Sequence, residues 1–410
     1  MKRFRNLLLC MALLILPPAC EKYAPRFYRS EVMGRGNARP EQPLEHVPRF
    51  DTLVYVSAVV VPDSYDWRRD TSFGSASCKL VLMKDGTPLF SLSTGMKERI
   101  SIEPDTHHIL DGHLYTEYST SSETFLKRDG ELVCSFPGRE VLKGLLVRED
   151  GVYTLGQDRE GGGFTFRHNG NEVLRVEDGT VFGDFNSSAY GRTGALYELD
   201  GDVCFCYRDE ESCHAVRNGD ARPENSGVSP SRVKDLRLAS DGLWSVSDYG
   251  TLMMVDGPYR SYALSRNYSW TACELWPGSS GMWVLGETAA SGLSCTMLRP
   301  VHDDTGEFPE IVFRGGNNYV YGSGESACFA ISGDKGGLKV QDAEGHYIYG
   351  RDSAFFFTRD CAMGLGEALF MAVTPRERRF PPFLWKNGEE ELFAINGYLT
   401  GVEAVLSPAR

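Results

Sequence analysis

An apolar residue followed by an aromatic recurs eight times along the chain. The pairs are Val54-Tyr55, Leu114-Tyr115, Val152-Tyr153, Leu196-Tyr197, Leu243-Trp244, Met282-Trp283, Cys328-Phe329 and Leu369-Phe370. Successive aromatics are 38 to 60 residues apart, with a mean of 45. Each interval has room for about four short strands and their turns, and a period of roughly 40–50 residues with that content is the signature of propeller blades. Outside the N-terminus no long segment carries the 3.6-residue apolar period of a helix, so the fold class is all-β. A β-sandwich pair with coincidental spacing is the alternative architecture.

A second signature travels with the first. LVLMKDGTPLFSL, FLKRDGELVCSF, FTFRHNGNEVLRV and FLWKNGEEELFAI each place Asp-Gly or Asn-Gly between two β-prone runs. Such dipeptides favour two-residue hairpins, because a type I′ turn needs φ > 0 at both central positions. Further tight turns, at Asp111-Gly112, Asp150-Gly151 and Asp241-Gly242, precede several of the aromatic pairs. With strands lettered A to D from the inside of a blade outwards, the A–B and C–D turns are short and share one end of the ring. The longer B–C and D–A connections share the other end. Binding residues concentrate on loops held by a rigid scaffold, so the long-loop end is the expected ligand face.

The repeats predict eight blades, or seven if the first repeat with its 60-residue gap is irregular. No A strand precedes Val54, whereas GYLTGVEAVLSP follows the last repeat. Residues Val402 to Leu406 are therefore expected to supply the innermost strand of the first blade. That closure removes the open sheet edge between first and last blades.

The chain begins MKRFRNLLLCMALLILPPAC. A basic start, a ten-residue apolar run from Leu7 to Leu16 and a small residue before Cys20 read as a signal peptide over 1–19. The apolar run is too short to span a bilayer, which takes about 20 residues. The Ala19-Cys20 step matches the bacterial lipoprotein signal, apart from Pro17 where that signal usually has Leu; Cys20 is then the lipidated N-terminus. Residues 20–50 form a polar, proline-containing tether and 51–410 the propeller. Without residues 1–19 the chain holds 40 basic and 56 acidic side chains, a net charge of −16. That acidic surface argues against nucleic-acid partners.

Candidate binding residues fall on the long connections. VVPDSYDWRRD offers Tyr65, Trp67 and Arg68 beside Asp66 and Asp70, a grouping suited to glycan or peptide capture; Trp67 capping the core is the alternative. Trp270 falls in a D–A connection, and Arg376 and Arg378 give another B–C loop a basic spot that could hold a carboxylate or sulfate. In VCFCYRDEESCHAV, a turn at Asp209-Glu210 would set Cys206 opposite Cys213 and permit a disulfide, with metal binding or buried free thiols as alternatives. Nine cysteines follow Cys20, an odd number, so a complete disulfide framework is excluded. His107, His108 and His113 cluster, but neighbouring strand residues point to opposite faces, so no metal site is expected there. No cofactor motif occurs, nor a nucleophile elbow, an H-E-x-x-H helix or a phosphate-binding loop in a credible context.

Taken together, the Cys20 signal and the repeats over about 53–406 resemble the broad class of bacterial β-propeller lipoproteins. The WD, kelch and NHL signatures are not matched. The resemblance implies a non-catalytic binding or scaffold protein of the cell envelope. It would be anchored to a membrane through lipid, outer membrane favoured, and would present its long-loop face to a glycan, peptide or envelope protein. A carbohydrate-active hydrolase or lyase on the same scaffold is the alternative.

Overall fold

The computed structural model describes residues 50–68, 78–93, 107–120, 122–138, 140–158, 162–185, 191–224, 229–240, 242–247, 251–254, 260–263, 270–278, 281–290, 293–300, 311–314, 318–322, 328–334, 337–351, 355–357, 359–365, 368–377, 380–386 and 388–408. Cys20, Arg378 and the side chain of Trp270 lie outside them. The described strands form eight antiparallel sheets, one per blade, and no α-helix occurs among the described residues.

Blade 1 takes its innermost strand from Gly397–Pro408 and continues outwards through Phe50–Val60, Lys79–Lys84 and Thr87–Ser93. Val54 pairs with Ala404 and Val56 with Val402, so the C-terminal strand closes the ring as the sequence predicts. Blades 2 and 3 start from His107–Leu110 and Glu140–Arg148. Blades 5, 6 and 7 start from Val233–Ala239, Trp270–Gly278 and Asn318–Gly322. Blades 4 and 8 depart from this plan at their inner strands.

The two sequence signatures turn out to be one device. At the C–D turns Asp85, Asp129 and Asn169 have φ of 46°, 50° and 51°, and the following glycines are also positive, as a type I′ turn requires. Each turn residue clamps the apolar member of its own blade's pair. The side chains of Asp85, Asp129 and Asn169 accept from the amides of Val54, Leu114 and Val152, each at 2.9 Å. Their own amides donate to the carbonyls of the same three residues at 2.8 Å. Each hairpin is thereby locked to the second strand of its blade, which is why the signatures recur in step.

The clamp also corrects the fourth repeat. In blade 4 Asn218 clamps Val203, on strand Asp202–Arg208. The pair Leu196-Tyr197 sits one strand earlier, on the fragment Tyr197–Leu199. Tyr197 therefore does a different job. Its hydroxyl accepts from the Leu238 amide of blade 5 at 2.9 Å, a bond between blades.

Other blades are joined in the same way. The inner-strand amides of Leu142, Leu275 and Leu399 lie at or beside irregularities in strand register. A bulge leaves such groups without a ladder partner. Side chains of the preceding blades accept them: Glu117 at 3.2 Å, Asp235 at 2.7 Å and Thr374 at 2.8 Å. Between these polar ties the blades pack through apolar clusters, such as Val54, Val56, Phe370, Leu399 and Val402 across the closure.

A candidate ligand site in the central channel

Blades 4 and 8 stand opposite each other in an eight-membered ring, and both break their innermost strand. In blade 4, Thr180–Val181 and Tyr197–Leu199 pair with the same second strand, and the chain between them leaves the sheet through a 3₁₀ turn at Gly191–Thr193. In blade 8, Phe355–Phe356 and Ala362–Leu365 flank a 3₁₀ turn at Arg359–Cys361. The two excursions meet. Arg192 from one and Asp360 from the other border a single recess, together with His107 and His108 of blade 2 and Ser57 and Gly401 of blade 1.

The blade 4 excursion is held where it crosses blade 3. The Ala195 amide donates to the Lys143 carbonyl at 2.8 Å, and Lys143 pairs with Asp184 at 3.6 Å. Gly194 adopts φ +61°, and a Cβ there would collide with the Lys143 carbonyl. That contact fixes a glycine at the approach and aims the turn carrying Arg192 into the channel.

His108 is gripped from both excursions. Its Nδ1 lies 3.0 Å from Asp360 Oδ2, and its ring stacks on Phe185 with centroids 3.9 Å apart. Burial works to raise the Asp360 carboxyl, but the His108 hydrogen bond and the charges of His108, Arg192 and Arg359 outweigh it and hold it below its usual value. An ionised carboxylate only accepts, so Nδ1 of His108 is the donor. Its other ring nitrogen, Nε2, is buried and has no partner among the described residues.

His107 is 2% exposed, and neither of its ring nitrogens is hydrogen-bonded. Burial, with the neighbouring His108, pushes its pKa down to about 4 against the pull of Asp360, so it is neutral at neutral pH. Burial also works against the Arg192 charge, which the carboxylates of Glu403 and Asp360 sustain. Nη2 of Arg192 is buried without a partner. The two oxygens of Glu403 accept from the amides of Asp111 at 3.0 Å and Gly112 at 2.8 Å. Ser57 Oγ is 2.9 Å from Thr400 Oγ1, so that hydroxyl is paired within its own blade.

The sequence reading set His107 and His108 aside because neighbours on a strand face opposite ways. Both nevertheless border this recess. Asp360 is 252 residues from His108, and no local motif signals their pairing.

The residues expected on the long-loop face are dispersed. Trp67 is 3% exposed and packs among Val59, Leu80, Leu82 and Tyr398, so it is a core side chain and not the exposed aromatic foreseen as one reading. The loop folds under because Asn396 donates to the carbonyls of Pro62 and Tyr65, at 2.7 and 3.1 Å. Arg68 lies 4.4 Å over the Trp67 ring, Tyr65 is half-buried, and Arg376 is exposed beyond strand Ala368–Pro375.

The register of blade 4 corrects the disulfide expectation. Arg208, not Cys206, opposes Cys213, and Cys206 opposes Ala215. Asp209 widens the turn by accepting from the amides of Glu211 and Ser212 and pairing with His214. The two are not joined in a disulfide and both are buried, and burial pushes Cys206 up to about 12.

No protein-family model and no curated relative matches the chain. Among solved structures it is similar to AztD from Citrobacter koseri, with a TM-score of 0.50 and 8% identity over 88% of this chain and 99% of that one. Apo AztD from the same organism gives a TM-score of 0.50 and 7% identity over 88% and 100%. At such identity the likeness concerns the fold, and the chain has the fold of a bacterial β-propeller.

Proposed function

We propose that this chain is a non-catalytic binding protein whose ligand is held in the central channel, where the excursions of blades 4 and 8 meet. The observation that carries the reading is the set of orphaned nitrogens on His107, His108 and Arg192. Buried polar groups in native proteins are nearly always paired, and an exception calls for a partner. The recess is too narrow for a water molecule in this state. On this reading a ligand enters by displacing Arg192, the long side chain at the border.

The envelope setting is part of the same proposal and rests on the sequence: a signal peptide over 1–19, lipid on Cys20 and a tether that holds the propeller at a membrane. Tyr65, Arg68 and Arg376, with Trp270 and Arg378, remain residues through which a glycan, peptide or envelope protein could dock on the long-loop face. The hydrolase or lyase alternative wants a pair of carboxylates facing the substrate. Asp360 is the one carboxylate bordering the recess and is engaged with His108, so binding is the better supported reading.

The test is a thermal-shift screen of the purified full chain against small acids, sugars and oligopeptides, run beside Arg192→Gln. A ligand that stabilises the parent and not the variant is the expected result. Ligands that stabilise both equally would move the site out of the channel.

A further inference from the structure

His107 is buried at the recess with both ring nitrogens unpartnered among the described residues. The groups around it are few. His108 follows it on the same strand, Arg192 comes from the blade 4 turn and Asp360 from the blade 8 turn. Arg359 shares the turn of Asp360, and Glu403 stands on the closing strand. Blade 1 contributes Ser57, and the second strand of blade 2 sets Thr116 opposite His107; neither titrates.

A neutral imidazole fits this place and a charged one does not. Asp360 is engaged with His108, and both oxygens of Glu403 accept from the Asp111-Gly112 turn. Those two carboxylates already balance the charges of Arg192 and Arg359. No water fits beside the ring. A buried charge with neither a partner nor solvent is strongly unfavourable, so His107 can take a proton only if something moves.

The elements around the recess are held unequally. The strands are held by their ladders. The blade 8 turn is pinned twice: the Tyr321 hydroxyl donates to the Arg359 carbonyl at 2.9 Å, and Cys361 Sγ donates to the Leu399 carbonyl at 3.8 Å. The blade 4 turn, Gly191–Thr193, lies outside any sheet and is tied to blade 3 at Gly194 and Ala195. It carries Arg192, whose charge a protonated His107 would repel. Gly194, at φ +61°, is the pivot beside it.

We propose that His107 is an acid-sensitive latch on the central channel: when it gains a proton, the turn Gly191–Thr193 swings out about Gly194 and admits water, while the ring of blades stays closed. In the open form the imidazole is hydrated and takes its proton near the ordinary 6.5; in the closed form burial defers this to about 4. The closed form is therefore fully favoured above about pH 6.5 and loses ground as pH falls between those values. The latch needs no ligand and stands even where the thermal-shift screen finds none.

Hydrogen exchange of the full chain, followed by mass spectrometry at about pH 7 and about pH 4.5, tests the latch, with labelling times scaled for the intrinsic effect of pH. Amides of residues 191–195 are expected to exchange about tenfold or more faster at the lower pH, within what a proton uptake moved from 6.5 to about 4 can drive. Phe50–Val60 and Gly397–Pro408 should keep their protection at both. His107→Asn, which takes no charge, should keep residues 191–195 equally protected at the two pH values. Circular dichroism melts confirm that the variant folds. Should it not, His107→Phe keeps a buried ring that does not titrate, with the same expectation. Exchange at 191–195 that acid leaves unchanged, or that acid speeds as much in the His107 variant as in the parent, overturns the latch. Acid exchange that rises in every blade together also overturns it, because the chain then unfolds as a whole instead of opening one turn.

Discussion

His107 shows what burial does to one side chain. Its folded pKa of about 4 lies below the ordinary 6.5, so between those values the unfolded chain binds more protons than the folded one. Stability is therefore full above about pH 6.5 and declines as pH falls towards 4, by about 3 kcal/mol for this group alone. Denaturant unfolding at a series of pH values measures it, and His107→Asn should flatten the slope in that window. The thiols make a second residue-scale case. Cys206 and Cys213 oppose other residues and are buried, so a thiol reagent should modify them only after unfolding, with or without prior reduction. Neither result was available from spacing alone. The sequence placed Cys206 and Cys213 near one another, but the turn length depends on Asp209 bonding to three partners.

At the scale of elements, the clamp between a C–D turn and the second strand explains how so regular a fold arises without a named repeat motif. Asn169 satisfies the Val152 amide and also tolerates φ of 51°. Asn169→Ala removes the acceptor and puts a less tolerant residue in the left-handed region. The expected cost is about 1–3 kcal/mol, read from the shift in the unfolding midpoint. Its two halves were legible in the sequence because each is a short local pattern, with Asp/Asn-Gly lying 15, 17 or 31 residues after the apolar residue it clamps. Blade 4 misled the reading for the converse reason. Its inner strand is broken, so Leu196-Tyr197 imitates the pair while the true clamp falls on Val203. Trp67 was left open between an exposed aromatic and a core cap, because the bonds that fold its loop under come from Asn396, at the far end of the chain.

At the scale of the molecule, closure and site share one strand. Gly397–Pro408 completes blade 1 and also brings Gly401 and Val402 to the recess. A chain ending at residue 396 should lose cooperative unfolding and become sensitive to protease throughout, since blade 1 and its neighbours lose their inner packing. A truncated chain that still melts sharply would show that the ring does not depend on this strand. The whole-ring view also explains why the site was hidden. It needs two interruptions half a ring apart, at Arg192 and Asp360, and each looks like an ordinary loop in isolation. The central claim is that these excursions bury His107 and His108 beside Asp360 in the channel. Ring-nitrogen NMR of the full chain, with its eight histidines assigned through His107→Asn and His108→Gln, tests it most directly. The account expects the His107 ring to stay neutral down to about pH 4 and His108 to carry its proton on Nδ1. A His107 ring that titrates near 6.5 like a solvated imidazole, or a His108 protonated on Nε2 alone, would contradict it.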